Sequence, residues 1–315
     1  MLKTNSRKLI SVVIPVFCNQ ETIEETCQRI LKTHSESFSQ HHLEIILVDD
    51  GSNDGSYEKL LSIHESYPKI VVVVKLSRNF GQLAAILAGY KIAKGDAVIT
   101  ISADLQDPVS LMSTMIAQWE QGDEILIAYR EQRQDDTASK FFSKIAYFVA
   151  KKSNHNMPAG GFDYLLLNRR AVDILNEFRG RHRFFQGDIL WLGLKTTFIP
   201  YVREKRQFGK SGWSFSKKFK YFIDLALDSS YLPIRIMSAL GGITALLGVI
   251  YAITIFYTWL VHKTPFQGWA PLMIVVLLIG GLIMAMLGVI GEYLWRIYDD
   301  IKSKPMYIIE NILKD

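Results

Sequence analysis

Residues Val98 to Pro108 read VITISADLQDP, an apolar run that breaks into Asp104, Gln106 and Asp107 directly before a proline. Two carboxylates and an amide oxygen so close together could hold a hard divalent cation against a phosphate, because such ions take oxygen ligands and keep positions open for substrate. The same residues could equally form an acidic turn between a strand and a helix, and Asp107 ahead of Pro108 has the make-up of a helix N-cap. Ser102 stands two residues before Asp104, and its hydroxyl is a weaker ligand than a carboxylate. Other polar groups recur in the same setting, just after an apolar run: Asn19 with Glu21, Asp49 with Asp50, and Arg78 with Asn79.

That setting says which elements must position them. Runs rich in Val and Ile occur at 9–17, 43–50, 69–77, 97–102 and 124–130, with helix-like stretches between them at 21–33 and 80–93. Nearly continuous apolar strands alternating with helices predict a parallel sheet covered on both faces. Ligands of such sheets collect beyond the carboxyl ends of the strands, which is where these polar groups fall. One such set could be chance, but four in succession predict a site. No G-x-G-x-x-G follows the first strand and no G-x-x-x-x-G-K-[ST] occurs, so dinucleotide and P-loop readings lose their main support.

The chain of 315 residues is 49% hydrophobic and 21% charged, with a mean hydropathy of +0.12. The apolar excess is localised. Ile234 to Val261 carries one charge, Arg235, and Leu272 to Leu294 carries one, Glu292. Each exceeds the roughly 20 residues that cross a bilayer core, so the two predict a helical hairpin closed by the polar link 262–271. Lys217, Lys218, Lys220 and Arg235 flank one side and Arg296, Lys302 and Lys304 the other, against a single Lys263 in the link. This asymmetry predicts cytoplasmic flanks and an external link.

Segments 137–152 and 213–230 mix aromatic and aliphatic residues with lysines, the pattern of helices lying in a membrane interface. The run Leu9–Phe17 is short, contains Pro15 and reads as a strand, not a signal peptide. A net charge of +5 suits contact with anionic lipid. Without a long basic tract or zinc-ligand spacing, no nucleic-acid partner is expected. Cys18 and Cys27 give no disulfide framework and read as reduced thiols. His41 and His42 read as surface residues, and Glu292 with Arg296 as an i,i+4 helix pair.

The stretches SVVIPVFCNQETI, IILVDDGSNDGS, LSRNFGQLAAILAGY and ISADLQDP occur in an order and spacing that resemble family 2 glycosyltransferases. Within that family the chain resembles the polyprenyl-phosphate type, that of dolichol-phosphate mannose synthases and bactoprenol glucosyltransferases. REKRQFGKSGWSFSKK (203–218), the hairpin, and GEYLWRIYDDIKSKPMYII (291–309) carry the likeness through the tail. The resemblance implies an α/β fold: a GT-A, Rossmann-like, mostly parallel sheet domain over 1–212, then a juxtamembrane helix at 213–230. Transmembrane helices at 234–261 and 272–296 and a cytosolic tail at 297–315 complete the expected layout.

The resemblance also implies roles. Pro15, Phe17, Asn19, Glu21, Asp49, Asp50 and Arg78 would bind a nucleotide-sugar, and Asp104 with Gln106 a divalent metal, Mg²⁺ or Mn²⁺. Ser102 replaces the first acid of the family's D-x-D, so the metal is expected to lean more on donor phosphates. Asp163 would be the catalytic base, although the family's G-D-F-R reads Phe162-Asp163-Tyr164-Leu165 here. Arg203, Arg206, Lys210 and Ser211 would hold donor diphosphate and acceptor phosphate.

The expected activity is inverting transfer of one sugar to a polyprenyl phosphate at the cytoplasmic face of the plasma (inner) membrane, with a divalent metal cofactor. Transfer to another lipid acceptor and a catalytically weak membrane scaffold stay open as alternatives. The reading admits a homo-oligomer, packed through Gly241, Gly242, Gly280 and Gly281, and a flippase or downstream transferase as partner.

Overall fold

Strands buried on both faces need no polar alternation, and the Val/Ile runs accordingly form the sheet. A computed structural model describes residues 7–130, 158, 161–178, 180, 183–203, 232–262 and 269–314. The expected interfacial helices at 137–152 and 213–230, and Arg206, Lys210 and Ser211, lie outside the described residues.

The first half alternates strand and helix: β1 (Leu9–Val16), α1 (Ile23–Ser37), β2 (His42–Asp49), α2 (Ser56–Ser66), β3 (Val71–Leu76), α3 (Gln82–Ile92), β4 (Ala97–Thr100) and α4 (Leu111–Glu120). The second half runs β5 (Ile125–Arg130), β6 (Tyr164–Asn168), α5 (Arg169–Glu177), α6 (Phe185–Trp191), β7 (Thr196–Tyr201), the long helices α7 (Leu232–His262) and α8 (Trp269–Ile301), and β8 (Ile309–Leu313).

The eight strands form one sheet in the order β7-β5-β6-β4-β1-β2-β3-β8. The pairs β1–β2, β1–β4, β2–β3 and β5–β7 are parallel, whereas β6 runs against β4 and β5, and β8 against β3. Hence all strands but β6 and β8 point one way. The order reverses at β1, with β2 on one side and β4 on the other, and ligands of open α/β sheets bind beyond the carboxyl ends at such a switch point.

Side chains alternate between two cores. Ile10, Val12, Ile14 and Val16 of β1 pack with Ile23, Cys27 and Ile30 of α1, Leu60 of α2 and Met115 of α4. Val13 faces the other way, into a layer with Ala85, Ala88 and Tyr90 of α3, Val172 of α5 and Ile189 of α6. Burial pushes the Cys27 thiol up to about 12, which keeps it an inert core group. His41, expected at the surface, is a correction: it is buried, with Nε2 3.1 Å from Glu120 Oε1, and only His42 is exposed. Its place at the head of β2, beneath the end of α4, seals it in.

Helices α7 and α8 contain apolar spans at Ile236–Thr254 and Leu278–Ile301, long enough to cross a membrane, and neither span is buried in protein. The expected i,i+4 pair forms, with Arg296 Nε 3.2 Å from Glu292 Oε1. The tail beyond α8 turns back and adds β8 to the free edge of β3, a strand with no counterpart in the sequence-based reading. Tyr307 and Ile309 pack on the α3 side of the sheet, and Lys75 Nζ lies 3.2 Å from Glu310 Oε1.

Candidate active site at the carboxyl ends of the strands

Because β6 runs against its neighbours, its first residues lie at the same end of the sheet as the last residues of the parallel strands. Asp163 thereby joins Asp50 after β2, Arg78 after β3, Ser102 to Asp107 after β4, Arg130 on β5, and Tyr201 and Arg203 at the end of β7. The topology collects these groups from across the chain.

On the β1–β3 side the loops are stitched to each other. Asn19 Oδ1 accepts the Phe17 N–H at 3.0 Å, the Asn19 N–H donates to Ser56 Oγ at 2.8 Å, and the Cys18 N–H donates to Ser52 Oγ at 3.1 Å. Pro15 is half-buried near the end of β1, while Phe17 and Glu21 are exposed. Asp49 is fully buried and accepts the Ser52 N–H, which places it in the wall of the site and not on its surface. Asp50 is also buried, and its two oxygens accept the backbone N–H groups of Phe80 (2.7 Å) and Gly81 (2.9 Å). It ties the loop after β3 to the loop after β2. Gly51, at φ +68°, permits this approach, since a Cβ there would sit 2.6 Å from the Arg78 carbonyl carbon. Arg78 itself is exposed, stacks on Phe80 at 4.3 Å, and has no ion pair among the described residues.

The loop after β4 is the more acidic side. Asp104 Oδ1 accepts from the Ser102 hydroxyl at 2.9 Å and from the Gln106 N–H at 3.2 Å, while Oδ2 lies 3.5 Å from Arg203 Nη2. Leu105 between them takes φ +59°, a left-handed turn that a non-glycine residue adopts at a cost of roughly 1–2 kcal/mol. Such strain persists where the surroundings over-determine it. Asp107 corrects the N-cap expectation. It is buried, and its oxygens accept from Ser102 Oγ and from Tyr201 OH (2.7 Å), while Ser110 occupies the N-cap of α4. Burial made the difference, because a carboxylate sealed from water needs strong donors close by.

Ser102 thus stands within hydrogen-bond reach of two carboxylates with one proton to give. A second proton or a cation relieves that contact. The oxygens of Ser102, Asp104, Gln106 and Asp107 suit a hard divalent ion. No group of three or more His, Cys, Asp or Glu among the described residues could hold one unaided, so ligand phosphates would have to complete its shell.

Asp163 is exposed at the start of β6. Desolvation raises its pKa above the usual aspartate range; Arg130 opposes the shift, Asp107 adds to it, and Arg203 and Gln186 also lower it. Gln186 Nε2, 3.5 Å from Asp163 Oδ1, donates to the Phe162 carbonyl at 2.7 Å and so fixes the turn before β6. Arg130 Nε points at Tyr201 OH from 3.5 Å. Arg130, Tyr201 and Gln186 escaped the sequence reading. Only Arg130 left a signal, a cation at the end of an apolar run.

The carboxyl ends of a mostly parallel sheet, where Asp104, Asp107 and Asp163 meet Arg78, Arg130 and Arg203, suit an anionic ligand with a reacting centre beside it. Comparison with known proteins identifies the class. Residues 11–188 match Glycosyl transferase family 2, and residues 232–297 match the GtrB C-terminal hairpin. An uncharacterized glycosyltransferase of Synechocystis is 33% identical over 305 residues, 96% of this chain and 95% of that protein. The SfII prophage-derived bactoprenol glucosyl transferase of Shigella flexneri is 30% identical over 307 residues, 96% of this chain and 97% of that protein. Glucosyl-3-phosphoglycerate synthase from Mycobacterium tuberculosis, solved with phosphoglyceric acid, superposes with a TM-score of 0.50 at 16% identity, over 70% of this chain and 80% of that one. That likeness speaks for the fold alone.

The fold is GT-A, and the molecule is a membrane-associated glycosyltransferase. The chain belongs to glycosyl transferase family 2.

Proposed function

We propose that this enzyme transfers a single sugar, with inversion at the anomeric carbon, from a UDP- or GDP-linked donor to undecaprenyl or a related polyprenyl phosphate. A phosphate oxygen of the acceptor attacks the anomeric carbon as the bond to the nucleoside diphosphate breaks. The diphosphate leaves from the opposite face, so the new glycosidic bond has the inverted configuration. The acceptor is already anionic near neutral pH, so Asp163 serves chiefly to orient the attacking oxygen. Arg130 and Arg203 hold phosphate charge on either side of it.

Pro15, Phe17, Asn19, Glu21 and Arg78 form the donor-binding surface, and Asp49 and Asp50 hold its loops in register. Arg206, Lys210 and Ser211 extend the phosphate-binding loop that begins at Arg203. A divalent ion, Mg²⁺ or Mn²⁺, held by Asp104 and Gln106, would neutralise charge developing on the departing diphosphate. The catalytic domain lies on the cytoplasmic side, where the basic flanks of the hairpin point, and the lipid-linked sugar feeds cell-envelope glycan modification.

The observation that carries this reading is the convergence of Asp104 with Arg203, and Asp163 with Arg130, at one sheet end. The likeness to bactoprenol glucosyl transferases over 96% of this chain supports a polyprenyl-phosphate acceptor. A panel of radiolabelled UDP- and GDP-sugars, each offered with undecaprenyl phosphate, diacylglycerol or ceramide, tests it. Label should pass to undecaprenyl phosphate alone, and transfer only to diacylglycerol or ceramide would reject it.

A further inference from the structure

Trp191, the last residue of α6, is 73% exposed. It is nevertheless held in place. Its ring meets Phe178 edge-on at 5.6 Å, the Arg183 guanidinium stacks on the same Phe178 at 5.2 Å, and Arg183 is locked to Asp188 at 2.7 Å. A large amphipathic aromatic held in one orientation at the surface is suited to an interface with an apolar and a wet side.

The chain shows what lies beside it. Two residues after Phe178 the link between α5 and α6 passes Gly180, where a Cβ would come within 4.0 Å of Asp300 Oδ1 on α8. Asp300 marks the end of the apolar span Leu278–Ile301. One turn earlier α8 displays Trp295 and Tyr298, 55% and 51% exposed, with rings 5.9 Å apart and Lys302 over Tyr298 at 4.3 Å. Amphipathic aromatics at the end of an apolar span, followed by a lysine, mark the level of the lipid headgroups. Phe178, two residues before Gly180, ties Trp191 to the link that approaches this end of α8.

We propose that Trp191 is a membrane-interface anchor: it inserts at headgroup depth beside the α8 aromatic pair and fixes the height of the catalytic domain over the bilayer. The occupant of this surface is the phospholipid interface itself, a lipid contact separate from the hairpin and from segments 137–152 and 213–230. Helix α6 gives the anchor its use. Gln186, near its start, braces Phe162 and Asp163, and Trp191 ends it five residues on, about 7 Å along the axis. The site floor and the lipid contact are therefore ends of one short rigid rod.

The test uses the full chain in phospholipid vesicles whose acyl chains are brominated near the headgroup. A variant retaining Trp191, with Trp119, Trp213, Trp259, Trp269 and Trp295 changed to Phe, should lose about half its emission relative to unbrominated lipid. Emission untouched by bromolipid but quenched by aqueous iodide would overturn the proposal. Should the multiple variant not fold, Trp191→Cys in a Cys18→Ser background carries a nitroxide at an already exposed position. Oxygen should then relax the label more than an aqueous nickel chelate does. The reverse order, or spin–spin broadening from a second chain seated there, rejects the bilayer as occupant.

Discussion

Tyr201, at the end of β7, donates a 2.7 Å hydrogen bond to Asp107, a residue 94 positions earlier in the loop after β4. The bond ties the edge strand β7 to the loop after β4, three places away in the sheet. Its acceptor is buried beside Ser102, and the same phenol receives Arg130 Nε from the other side, at 3.5 Å. Desolvation by burial and the nearby Asp107 charge hold the Tyr201 phenol above its usual pKa, so it remains a donor throughout the accessible pH range.

Tyr201→Phe therefore leaves a buried carboxylate with Ser102 as its remaining donor at that oxygen pair. A loss of about 1–3 kcal/mol in unfolding free energy is expected. Denaturant titration of the detergent-solubilised chain measures it, and an unchanged midpoint would mean that the bond carries no stability.

The pH dependence of the reaction follows from Asp163. Its pKa is raised chiefly by desolvation, so its contribution to stability is full below the ordinary aspartate range and is lost as pH rises through the folded-state value. In its proposed role Asp163 acts on the acceptor as the carboxylate, so activity should run the opposite way and rise through that value. Arg130 is the largest opposing influence, and Arg130→Gln should move the acid limb of kcat/KM to higher pH. A limb that stays in place or moves down in a pH–rate profile would separate Arg130 from Asp163.

Ser102→Asp places a third carboxylate beside Asp104 and Asp107. Without metal, like charges then crowd a partly buried site, and the unfolding temperature in chelator should fall. With Mn²⁺ and a nucleoside diphosphate, the added oxygen ligand should tighten metal binding about tenfold, as counted by the electron paramagnetic resonance signal of free Mn²⁺. Equal Mn²⁺ affinity in both proteins would place the metal elsewhere.

The tail offers a prediction about architecture. β8 covers the edge of β3, and Tyr307 and Ile309 bury apolar surface against the α3 layer. Ending the chain at Lys304 should lower the unfolding temperature and expose an unpaired strand edge that promotes association. Light scattering on heating reads both effects, and a truncated chain with unaltered melting would show the strand to be dispensable.

How much of this was legible in the sequence depended on distance along the chain. The runs at 9–17, 43–50, 69–77, 97–102 and 124–130 became β1 to β5 within a few residues at each end. Central parallel strands are apolar on both faces and announce themselves. β7 carries Pro200, β6 is only five residues long, and β8 has an exposed middle, so none offered such a run. The strand-end polar sets were placed at the correct edge because sheet direction alone fixes that edge. What each carboxylate touches was not legible. Asp107 looked like a cap from its neighbour Pro108, whereas its decisive partner, Tyr201, lies 94 residues further along the chain.

The central claim is that Asp104 and its loop make this chain a polyprenyl-phosphate sugar transferase. The most direct measurement is the initial rate of transfer from a radiolabelled nucleotide-sugar to undecaprenyl phosphate in vesicles with Mn²⁺, comparing the unaltered chain with Asp104→Asn. Labelled lipid phosphate-sugar should accumulate with the unaltered chain and fall by about a hundredfold or more with the variant. Full activity in Asp104→Asn, or no labelled lipid from the unaltered chain with any donor, would contradict the account.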